Sequence, residues 1–174
     1  MLAQLRKVIF LLPLLLGAGC ASNDGYGLRP GVSTVSEVVG LMGEPALRWR
    51  DADGSEQLAY PRGPYGVHTF MAFFAPDGRL TRFDNVLETR YFARILPGQH
   101  DRAAVLRLLG PSNPEMTVYF EARNELVWEW LFCNEWSRLA WFDVSFDATS
   151  GLVRNTSQRP ELRGRDGVEP VCSH

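Results

Sequence analysis

Lysine is nearly missing from this sequence: Lys7 is the only one, and every other basic side chain is arginine. We read that as a bias in composition, not as a phosphate-binding pattern. Basic and acidic groups almost cancel, 18 against 20, for a net charge of −2, and no Lys/Arg cluster occurs. A strongly basic nucleic-acid binder is thereby excluded. Long apolar runs are lacking beyond the first twenty residues, which excludes a multi-span membrane protein. Histidines are few, and His68, His100 and His174 lie far apart. His100 adjoins Asp101 at a helix start, where Asp101 is better explained as a cap. Cys172-Ser173-His174 would offer a metal only two ligands on a polar tail. A nucleophile, a histidine and an acid that must meet in space are not flagged anywhere, nor is a phosphate-binding glycine loop. The sequence therefore reads as non-enzymatic, with no cofactor and no metal.

What is present is a globular composition, with 45% hydrophobic and 22% charged residues over 174 positions. That rules out disorder of the whole chain and leaves room for one ordinary domain or two very small ones. The one long apolar run comes first. Arg6 and Lys7 precede nine residues without a polar side chain, Val8 to Leu16, and then Gly17-Ala18-Gly19-Cys20. A basic start, a short apolar stretch and small residues before a break describe a secretory signal. As a helix the stretch would rise only about 14 Å, too short for a hydrocarbon core of ~30 Å. The cysteine after Gly-Ala-Gly resembles the bacterial lipobox. That resemblance implies cleavage before Cys20, acylation of Cys20 and, with Ala21 next, sorting to the outer membrane facing the periplasm. An ordinary signal peptide with a chance cysteine is the alternative. After cleavage, Cys133 and Cys172 remain. In an oxidising compartment they can form a disulfide, and two unpaired thiols are the other reading.

The chain also repeats itself. Residues 30–43 match residues 97–110 at an offset of 67, with five identities in fourteen: Pro30/Pro97, Gly31/Gly98, Val38/Val105, Leu41/Leu108 and Gly43/Gly110. Both segments read as short helices. Thr34 and Asp101 are N-caps, and Thr34 with Glu37 makes a capping box. Val35, Val38, Val39 and Met42 form one apolar face, while Gly43 with Pro45 and Gly110 with Pro111 stop the two helices. Aromatic-rich strands separated by turns follow each helix, at 56–60, 70–74 and 80 onward, and at 126–132, 139–146 and 153 onward. Glu88 to Leu96 reads as an additional helix. The expected fold is α+β, a tandem of a helix or helix pair followed by a three-stranded antiparallel meander. The expected organisation is a signal peptide at 1–19, lipidated Cys20 and tether at 20–29, and a first repeat at 30–87. A second repeat at 88–157 and a loose tail at 158–174 complete it.

Arg29-Pro30-Gly31, Val38, Leu41-Met42-Gly43-Glu44-Pro45, Tyr60, Phe70 to Phe74, Asp77-Gly78-Arg79-Leu80 and Asp84-Asn85 occur in this order. The set resembles the SmpA/OmlA family of outer-membrane lipoproteins, the BamE type. The tandem layout is instead similar to the β-lactamase inhibitory protein fold, whose two copies form one concave face. The first resemblance implies an accessory scaffold in outer-membrane β-barrel assembly or envelope integrity. Its partners would be lipid, through the acylated cysteine, and envelope proteins such as the β-barrel assembly machinery. The second implies a periplasmic inhibitor or binding module gripping an enzyme.

Aromatics are the main functional signal, with ten Phe, five Trp and five Tyr. Alternation along the strands divides them. Trp128, Trp130 and Phe132 share a face, as do Phe142, Val144 and Phe146, and Phe70, Ala72 and Phe74. Met71, Phe73 and Trp141 fall on the opposite faces, that of Trp141 shared with Glu129 and Asp143. They are expected to point outward as a binding face ringed by charge.

Overall fold

A computed structural model describes residues 24–63, 65–162 and 172. The α+β tandem of helices with three-stranded meanders is corrected by this structure. The described chain is mostly β, with two four-stranded antiparallel sheets and three short helices. In chain order these are α1 (Val35–Met42), β1 (Leu47–Arg50), β2 (Glu56–Pro61), β3 (Thr69–Phe74) and β4 (Leu80–Asn85). Then come α2 (Thr89–Phe92), α3 (Arg102–Leu109), β5 (Val118–Phe120), β6 (Glu125–Cys133), β7 (Leu139–Asp147) and β8 (Val153–Pro160). The strand orders are β1-β2-β3-β4 and β5-β6-β7-β8.

The additional strands are β1 and β5, of four and three residues. Each is too short to show a period of its own, and its partner strand supplies the pairing. In β1, Leu47 and Trp49 pack toward the core, while Arg48 and Arg50 reach Glu56 at 3.0 and 3.1 Å. The helix expected over 88–96 shrinks to the four residues of α2, with Ala93 as its C-cap. Strand β8 runs on through Gln158, Arg159 and Pro160, which the sequence assigned to the tail.

Helices α1 and α3 keep the 67-residue correspondence. Thr34 and Glu37 form the capping box, and Asp101 accepts from the Ala104 N–H at 2.8 Å. Both caps satisfy amides that the first turn leaves unpaired. Val38 and Val105 are both fully buried. Gly110 ends α3 at φ 75°, where a Cβ would also meet the Thr69 Cγ2 at 2.8 Å. Only glycine combines that backbone with so close an approach.

The layers follow from the two apolar clusters. Helix α1 packs on one face of the first sheet, where Val38 and Met42 meet Leu58, Tyr60, Ala72 and Phe74. The other face of that sheet, with Ala59 and Met71, packs on α3 through Val105 and Leu109. Beyond α3 and α2 lie Trp130, Phe132, Phe142 and Phe146 of the second sheet. The order is therefore helix, sheet, helices, sheet. Phe92 of α2 stacks on Phe142 at 3.9 Å and meets Phe132 edge-on at 4.9 Å. Leu28 packs against the first cluster, so the end of the expected tether belongs to the core. Cys133 and Cys172 are bonded, 39 residues apart in sequence. Closing such a loop is worth roughly 4 kcal/mol in the chain-entropy account.

Candidate functional site

The outward binding face expected at Met71, Phe73 and Trp141 is not there. Alternation placed each residue on the correct side of its strand, but those sides are covered. Met71 is fully buried in the central cluster under α3. Phe73 is half-buried on the same side, with the Arg82 guanidinium 3.6 Å from its ring centre. Trp141 is only 3% exposed. Its indole N–H donates to the Glu161 carboxylate, and Arg159 lies 5.3 Å from its ring. The side of a sheet can be read from period two, whereas what lies against that side depends on the packing of distant elements.

The junction of the halves is a polar clamp on an apolar base. Arg107 of α3 makes a bidentate ion pair with Asp51 at 2.7 and 2.6 Å. The paired guanidinium, with its fork of donors, holds the Asp51 carboxyl below the usual carboxylate range. Gln57 donates to the Arg107 carbonyl at 2.6 Å and accepts from the Arg107 Nε at 3.3 Å. These contacts seat α3 on the first sheet.

Further along the junction a cleft of about 320 Å³ opens between the halves. One wall is the β2–β3 connection, whose chain turns back through Arg62 N–H to His68 C=O at 3.0 Å. Gly66 sits in that wall because any Cβ would run into the Arg62 carbonyl. The other wall is the stretch after α3. The Trp130 indole donates to the Pro111 carbonyl at 3.1 Å, and the Asn113 N–H donates to the Glu129 carbonyl at 3.0 Å. Leu87, Pro111, Trp130 and Leu131 make the lining chiefly apolar, with His68, Thr69, Ser112, Asn113 and Glu115 as polar groups. The Tyr65 hydroxyl donates to Glu115, itself a cleft residue, at 2.8 Å.

Asn113 is the unusual member. It is 4% exposed, and its Oδ1 accepts from the Glu115 N–H at 3.0 Å, which orients the amide. Its Nδ2 is buried without a hydrogen-bond partner. Buried donors are rarely left so. The sequence offered little to find it by, since an Asn before Pro reads simply as a turn.

A second polar group lies on the far face of the second sheet. Glu129 and Asp143 are directly opposed across β6 and β7, and Arg159 bridges them at 3.0 and 3.1 Å. Burial pushes both carboxyls up, with Arg159 pulling the other way. One oxygen of each, Glu129 Oε2 and Asp143 Oδ1, has no hydrogen-bond partner.

The two described histidines each contact a neighbouring residue. His68 stacks on Phe70 at 5.6 Å, and the His100 Nδ1 accepts from the Leu96 N–H at 3.0 Å. Among the described residues no group of three or more His, Cys, Asp or Glu is placed to hold a metal. Among them, too, no helix is long and apolar enough to cross a membrane. Cys20, the expected lipidation site, and His174 lie outside the described residues. Comparison of the chain with protein-family models, with curated proteins and with solved structures returns no match.

Proposed function

We propose that this chain is a lipid-anchored envelope protein acting as a non-catalytic protein-binding scaffold. In this reading it faces the periplasm from the outer membrane and serves β-barrel protein assembly or envelope integrity. The cleft between the halves carries the proposal: apolar walls with a few placed polar groups are the usual composition of a binding site. The Cys133–Cys172 disulfide suits an oxidising compartment. The run before Cys20 supports the anchor, and the ordered SmpA/OmlA-like segments support the role.

Two measurements test it. Cys20→Ser is expected to move the protein from the membrane fraction to the soluble one, because acyl chains are what would hold it there. Retention after a high-salt wash removes the lipid anchor from the reading. A photocrosslinking side chain at Ser112, on the cleft rim, is expected to trap a discrete envelope protein in cells. The same group at Asp77, at the opposite end of β3, is expected to trap none. Equal adducts at both positions, or none at either, would remove the cleft as the binding site.

A further inference from the structure

We propose that the end of the domain formed by the β2–β3 connection and the β6–β7 turn lies on the lipid surface, with the Trp136 indole seated among the headgroups. The partner is the bilayer itself, at the depth where headgroups meet acyl chains. This rests on the reading of Cys20 as the lipid anchor and adds which end of the domain faces the membrane.

Chain length comes first. Asp24 is four residues from Cys20, and four residues span at most about 14 Å even when extended. Leu28 already packs on the first cluster, so the length able to lift the domain off the bilayer is short. Asp24 interacts electrostatically with Arg62, in the β2–β3 connection. From there the chain runs down the first sheet to Gly31, whose N–H donates to the Leu80 carbonyl at 2.7 Å. The anchored chain therefore meets the domain at the β2–β3 end. The β6–β7 turn is at that end too. The cleft joins the β2–β3 connection to Leu87 and Leu131, and residues 88–90 border Cys133, Asn134 and Glu135 in a neighbouring hollow.

The side chain comes second. Trp136 follows in the turn and is 78% exposed, whereas the other four tryptophans are buried or half-buried. Its turn is not slack. The Asn134 Oδ1 accepts from the Trp136 and Arg138 N–H groups, both at 3.0 Å. The Cys172 N–H donates to the Ser137 carbonyl at 2.9 Å, next to the Cys133–Cys172 bond. Leu162, 59% exposed, comes out at the foot of the same turn, where the Glu161 N–H donates to the Leu139 carbonyl at 3.0 Å. A held, exposed indole, apolar in body with an N–H at its tip, is what a bilayer interface favours. The exposed Glu135 beside it sets the depth, because a carboxylate stays in water: the indole reaches headgroups and not the hydrocarbon core. Exposure alone would not choose this end, since Val118, Tyr119 and Phe120 are exposed as well. Those three pair with the start of β6, where Glu125 lies about 26 Å along the strand from Cys133. The anchor enters at the Trp136 end.

The test places the acylated mature chain in phosphatidylcholine vesicles, with and without lipids brominated just below the headgroup. Bromine quenches only indoles close to it. Quenched emission is expected, and Trp136→Phe is expected to remove at least half of the quenching; an unchanged thermal melt of that variant shows that the fold is kept. In the Trp136→Phe background, Phe120→Trp moves an exposed indole to the other apolar cluster and is expected to stay unquenched. Quenching that survives Trp136→Phe, or that is as strong from position 120, overturns the orientation. Flotation of the same vesicles separates this inference from the reading it rests on. A chain that floats with Trp136 unquenched overturns the contact and leaves the anchor standing. One that floats and is quenched equally well as Cys20→Ser keeps the contact and overturns the anchor, and one that does not float overturns both.

Discussion

Trp141 carries the sharpest consequence at the scale of single residues. Its ring is buried at 3% exposure, so Trp141→Ala is expected to cost ~3–5 kcal/mol of stability through the cavity left behind. A melt that barely moves would contradict that placement. Asp143 gives a pH test. Burial raises its carboxyl, and the groups facing it are Glu129, Arg159 and Ser157. A carboxyl raised in the fold binds protons there that the unfolded chain has already lost. Its contribution therefore favours the fold at low pH and fades as pH rises through the raised value. Asp143→Asn removes that term. Compared with the unaltered chain, the variant is expected to show a flatter melting temperature from about pH 4 to about pH 7 and a higher one at neutral pH. A variant that melts lower at pH 7 would mean that the Arg159 pairing outweighs the burial of the charge.

At the scale of elements, α1 and α3 are short, eight residues each, and cannot be stable alone. Their caps and their buried valines hold them. Val38→Asp and Val105→Asp each put an unpaired carboxylate at a fully buried position, at a cost of several kcal/mol. Thermal melts should show the Val105 variant at least as damaged, because Val105 lies in the cluster that joins both sheets. If the Val38 variant alone unfolds, α3 is not the central helix. Helix starts, stops and apolar faces were legible here from Thr34, Glu37, Gly43 and Asp101, since capping is local chemistry. The edge strands were not. Leu47–Arg50 follows a Pro and precedes a turn, and only pairing with β2 makes it a strand.

For the whole molecule, the decisive feature is that α3 belongs by sequence to the second half but packs against the first. Ala59 and Met71, both fully buried, owe their burial to it. A fragment of residues 24–87 would expose that face and lose the Asp51–Arg107 clamp. It is expected to show no cooperative melt by circular dichroism, whereas the full chain is expected to melt as one unit. An independently folding fragment would mean that α3 is an accessory and not a core layer. Domains this small bury little surface and are marginal by themselves.

The sequence by itself determined the punctuation and the faces. It marked where helices begin and end, and which side chains share a strand side. It also held a cysteine pair able to bond, because these depend on neighbours along the chain or on pairwise chemistry. Tertiary structure alone decided which faces stay free. Met71, Phe73 and Trp141 sit on the predicted sides and are nonetheless covered or partly covered. The cleft brings the 61–69 connection against Pro111, Asn113 and Leu131 across half the chain. Period two tells which way a residue points; what it meets there is set by long-range packing that no local pattern encodes.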